Sequence, residues 1–110
     1  PRRAAAAARV DPNLVLLART GRASMAHGSL RPGTTSHAIV HRTVDEVWFV
    51  VSGCAHIWRS NERGDSIETV ESGVSLAIPV GTRFQYRTIG AAPAKARVLR
   101  RRVSLRSAWF

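Results

Sequence analysis

His41 and Glu46 are the side chains best placed to do chemistry. A short turn at 42–45 separates them, and it can bring the carboxylate back towards the imidazole. Together they could act as an acid/base pair for a bound organic substrate. They could equally hydrogen-bond to one another and fill an interior. Ile39 lies two residues before His41, so an extended strand puts both on one face. By the same alternation Trp48 shares a face with Glu46, and Tyr86 with Phe84. If Glu46 points inward, these aromatics line one cavity with it. A mostly apolar pocket with a few polar groups is the usual anatomy of a small-molecule site. The candidate ligand pocket is therefore Ile39, His41, Glu46, Trp48, Phe84 and Tyr86, although Phe84 reads first as plain core.

Other combinations carry less. Cys54 and His56 share a strand face, but same-face neighbours stand nearly ~7 Å apart. No third residue orients the pair, so it reads as structural. His37 shares parity with His41 but lies roughly 13 Å back along an extended strand. Gln85 should face away from Phe84, and the facing of His27 and His56 cannot be read. No glycine loop suited to phosphate and no triad motif occurs.

The elements that must position these groups are short strands. β-rich segments recur at 14–19, 24–30, 37–41, 46–52, 55–60, 66–70, 75–78 and 84–88, with a ninth near 96–99. Turn residues punctuate them, among them Arg31-Pro32-Gly33, Ser52-Gly53, Ser72-Gly73 and Val80-Gly81. Many short strands with regular Gly and Pro punctuation indicate an all-β sandwich or barrel. The segment 47–51 is apolar throughout, so both of its faces should be covered. Val47, Phe49 and Val51 would form an apolar outer row, which predicts a sheet-mediated homodimer. Arg100, Arg101 and Arg102 put charge on both faces of any strand. A strand there should lie at a sheet edge or end near Leu99.

Two glycine-bounded stretches carry a family resemblance. Gly33, His41, Glu46 and Gly53 follow the spacing of the first cupin motif, Gly-x5-His-x-His-x4-Glu-x6-Gly. Gly73, Pro79 and Gly81 follow the second, Gly-x5-Pro-x-Gly-x2-His. The wording HRTVDEVWFVVSG and IPVGTRFQYR resembles small single-domain bacterial cupins over roughly residues 30–88. The resemblance implies a jelly-roll barrel of two antiparallel sheets, the double-stranded β-helix. It also implies a metal site of three nitrogens and one oxygen, suited to Fe, Mn, Ni, Zn or Cu. Two of those corners are altered. Ile39 stands at the first histidine position and Phe84 at the last, and neither side chain can donate a lone pair. Only His41 and Glu46 remain as metal ligands, an incomplete shell, since a stable site usually needs three or four.

A chain of 110 residues makes one domain. Apolar content of 45% is too high for a disordered chain. No run approaches the roughly 18 apolar residues of a membrane span. The single cysteine rules out an internal disulfide and fits a reducing, cytoplasmic setting. Nine of the 17 basic residues behind the +10 charge fall within residues 1–10 and 95–106, with no acidic residue in either stretch. The organisation expected is a basic arm over 1–13, a barrel over 14–99 and a basic tail over 100–110. Such tails imply at most non-specific, salt-sensitive contact with nucleic acid. The function expected is a small-molecule-binding barrel without a tight cofactor. The alternative is a metal-dependent enzyme of dioxygenase, isomerase or decarboxylase type holding Fe, Mn, Ni or Zn at His41 and Glu46. A third reading, an accessory factor acting through its tails, would be separated by trimming both ends.

Overall fold

The structure is a computed structural model and describes residues 14–103. The expected arm over 1–13 and the terminal Trp109-Phe110 lie outside that range. Nine strands and no helix occur among the described residues: β1 (Leu14–Arg19), β2 (Ala23–Leu30), β3 (Ile39–Val40), β4 (Val44–Ser52), β5 (Cys54–Asn61), β6 (Gly64–Glu71), β7 (Ser75–Ile78), β8 (Arg83–Ile89) and β9 (Ala94–Arg102). One sheet has five strands in the order β1-β2-β9-β4-β7, and the other has four, β3-β8-β5-β6. Every pairing is antiparallel.

Alternation sorts each strand into an inner and an outer face. On β8 the inner set is Phe84, Tyr86 and Thr88; on β7 it is Leu76 and Ile78. The inner faces close over one apolar cluster that includes Val50, Ala55, Ile57, Val70, Ile78 and Phe84. Leu14, Ala26 and Val98 form a second cluster, and Trp48 packs against both. Burial of such side chains contributes about 1.5–3 kcal/mol each, which is what holds the sheets face to face. The turn between β4 and β5 depends on Gly53. Its φ is +81°, and a Cβ there would fall 2.3 Å from the Pro93 carbonyl oxygen at the approach to β9.

Two expectations need correction. The ninth strand is neither an edge nor finished near Leu99. β9 lies between β2 and β4 and runs to Arg102. Its arginines are tolerated because parity separates them and acids meet them. Arg100 turns inward onto Glu46, and Arg101 turns outward onto Asp45 at 3.0 Å. Two of the apparent tail charges therefore have acidic partners, which lie far away in sequence. The expected strand 37–41 pairs only at Ile39–Val40. Just upstream, the Ser36 N–H donates to the Tyr86 carbonyl, and the Tyr86 N–H donates to Ser36 Oγ. The chain reaches β8 through those bonds rather than through a continuous ladder. Within the chain 47–51 is covered on one face, and Val47, Phe49 and Val51 form the exposed apolar row expected on the other. Among the described residues no helix is long and apolar enough to cross a membrane.

Candidate functional site

Glu46 sits on β4, between β9 and the edge strand β7 of the five-stranded sheet. Antiparallel register places it opposite Ile78 on β7 and opposite Arg100 on β9. Its residue is 2% exposed. A carboxylate in such a place survives only with partners, and it has three. Trp48 Nε1–H donates to Oε1 at 2.8 Å. His41 Nε2 lies 3.0 Å from Oε2. Arg100 Nε–H donates to the same Oε2. The ionised carboxylate only accepts, so its His41 neighbour must carry a proton on Nε2. Burial is the largest single influence on the Glu46 carboxyl and pushes its pKa up. The His41 hydrogen bond, the Arg100 charge and the Trp48 hydrogen bond act the other way. Together they win and hold it below the ordinary value of 4.5.

The aromatics pack around this group. Trp48 meets Phe84 edge-on at 5.9 Å and Tyr86 at 5.1 Å between ring centroids. Phe84 stacks on Tyr86 at 6.4 Å and lies 5.8 Å from the His41 ring. Ile39 is the β3 register partner of Phe84. The two motifs are tied together by backbone. The Gly81 N–H donates to the His41 carbonyl at 2.8 Å. The Val80 N–H donates to Asp45 Oδ1 at 2.8 Å, and this bond is the main reason the Asp45 carboxyl is held below its ordinary value.

A cavity of about 120 Å³ opens among these groups, between the sheets. Ile39, His41, Glu46, Trp48, Phe84 and Tyr86 all line it. The other histidines, His27, His37 and His56, do not, and neither do Cys54 and Gln85. His56 instead contacts Thr69 on an exposed face through Nδ1, and Gln85 donates to the Ser36 carbonyl. Among the lining residues missed from sequence, two are charged, Lys95 and Arg100. The signal for Arg100 was its parity with Ala96 and Val98, the inner row of β9. The assumed strand end at Leu99 hid it. Among the described residues no group of three His, Cys, Asp or Glu side chains could hold a metal ion.

No family model and no curated protein matches the chain. Solved structures do. The Schizosaccharomyces pombe Cnp3 cupin domain superposes with a TM-score of 0.77 at 8% identity, covering 87% of this chain and 64% of that one. A Klebsiella pneumoniae protein with a double-stranded β-helix domain gives 0.70 at 16% identity, covering 83% of this chain and 78% of its own. An oxalate oxidase gives 0.68 at 21% identity, covering 73% of this chain and 42% of the enzyme. The chain therefore spans under two thirds of the Cnp3 domain chain and under half of the oxidase. At these identities the likeness speaks for architecture, and function must come from the site. The architecture is that of the cupins, a double-stranded β-helix of two antiparallel sheets.

Proposed function

We propose that the barrel binds a small organic molecule in the cavity bounded by Ile39, His41, Glu46, Trp48, Phe84 and Tyr86, and that it does so without a tightly held metal. The observation that carries this reading is the Arg100–Glu46 ion pair. The residues present do not fit a tight metal site. Glu46 Oε2 already takes His41 and Arg100, and Oε1 takes Trp48. A divalent ion bound there would face the guanidinium at close range. At ~4 Å even two unit charges repel by about 4 kcal/mol near a protein surface. Ile39 and Phe84 supply no lone pair at the other two corners. What remains is an apolar cavity with a fixed polar end, which suits an organic ligand held by shape and one polar anchor.

Metal content by mass spectrometry tests the reading on protein purified without chelator or nickel resin. The expected result is far less than one ion per chain. One equivalent of Fe, Mn, Ni or Zn, lost in His41→Ala, would favour the metal-dependent enzyme instead.

A further inference from the structure

Among the described residues lining the cavity, Arg100 and Glu46 carry the charges on the inner faces of the strands, while Lys95 borders the cavity but alternates outward with Arg97 and Leu99. Glu46 is already occupied by three donors. Arg100 is not fully used. A guanidinium carries five N–H groups. Its Nε–H goes to Glu46, and the other four make no hydrogen bond to a described residue. The Arg100 side chain is 28% exposed, so its charge is only partly screened by solvent.

We infer that the cavity takes a small organic anion, a monocarboxylate with an apolar body. Its carboxylate pairs with the open edge of Arg100, and its body lies against Trp48, Phe84 and Tyr86. This rests on the small-molecule reading and adds the sign of the ligand's charge. The planar fork of a guanidinium matches a carboxylate with two parallel hydrogen bonds, an arrangement that an ammonium cannot offer. The bond to Glu46 restrains Arg100, so less side-chain freedom is lost on binding. Lys95, exposed on β9, adds attraction at longer range. A cationic ligand would meet the Arg100 charge and a carboxylate already holding three donors.

Calorimetric titration of the full chain with benzoate, benzamide and benzylammonium tests this, with butyrate and butyramide as a smaller pair. Each acid should bind at least ~10-fold tighter than its amide, which corresponds to about 1.4 kcal/mol. Benzylammonium should be the weakest, and high salt should narrow the acid–amide gap. Arg100→Gln should erase the gap. Arg100→Lys, which keeps the charge and loses the fork, should shrink it, and it replaces Arg100→Gln if that variant does not fold. Lys95→Gln alters an exposed side chain and should reduce benzoate affinity by roughly 2–3-fold. Equal binding of acid and amide would overturn the inference and leave the small-molecule reading standing. Tightest binding by benzylammonium would overturn it as well, because Glu46 would then set the selectivity. No binding by any of the five probes would overturn both.

Discussion

Glu46 accepts three hydrogen bonds at 2% exposure, and this balance makes it a pH-dependent support of the fold. Its pKa is depressed on folding, so its contribution is complete above the ordinary value of 4.5. Below that pH the unfolded chain takes up the proton first, and the contribution fades until the folded group also protonates. Denaturation midpoints should therefore fall as pH drops below about 4.5, and Glu46→Gln should flatten that slope. An equally steep fall in Glu46→Gln would assign the acid sensitivity to other groups, with Asp45 the first candidate. Arg100→Leu removes the permanent charge opposing Glu46. It should cost roughly 3 kcal/mol, because a buried carboxylate is left with neutral donors and a histidine. Adding Glu46→Gln should recover part of that loss, a coupling that a double-mutant cycle measures directly. His41, Glu46 and the aromatics were legible in sequence because motif spacing and strand alternation are local. Arg100 was not, because its meeting with Glu46 depends on the register of strands 54 residues apart.

β9 shows the same limit one scale up. Read alone, Ala-Lys-Ala-Arg-Val-Leu-Arg-Arg-Arg looks like a poor central strand. Its charges are acceptable only because β4 offers Asp45 and Glu46 at the matching registers, one to each face. Strand existence and turn positions were legible, since Gly and Pro mark them locally. Strand order was not, because it is set by partners. Gly53 is the turn residue with least freedom. Any side chain there meets both a left-handed backbone and the Pro93 carbonyl. Gly53→Ala should lose roughly 3 kcal/mol or more, read as a drop in the chemical denaturation midpoint. Gly73→Ala has a similar φ but open space, so it should lose clearly less. Equal losses would mean that backbone conformation, rather than the approach of Pro93, sets the requirement at Gly53.

At the scale of the whole fold, exposed apolar surface among the described residues is confined almost entirely to one sheet. Of the eight exposed large apolar residues among those described, seven belong to the five-stranded sheet, and Ile67 is the exception. Register joins several of them into a continuous row, Ala18–Met25–Leu99–Val47–Ala77, which crosses every strand of that sheet. Contiguous exposed apolar patches of more than a few hundred Å² mark interaction surfaces. The buried core of a homodimer interface is mainly apolar, and an apolar row crossing all five strands of one sheet offers such a core. A second copy of the chain is the occupant proposed, since a twofold interface applies one patch to itself. Analytical ultracentrifugation of the full chain should show about twice the 12.0 kDa of one chain at ~100 μM. Val47→Glu is exposed in the single chain and central in the row, so it should yield folded monomer and remove any concentration dependence of the melting temperature. A single 12.0 kDa species for the unsubstituted chain would leave the patch without its proposed partner. The cavity lies on the opposite, inner face of that sheet, so anion binding and dimerisation should be independent: Val47→Glu should keep the benzoate preference, and Arg100→Lys should keep the dimer.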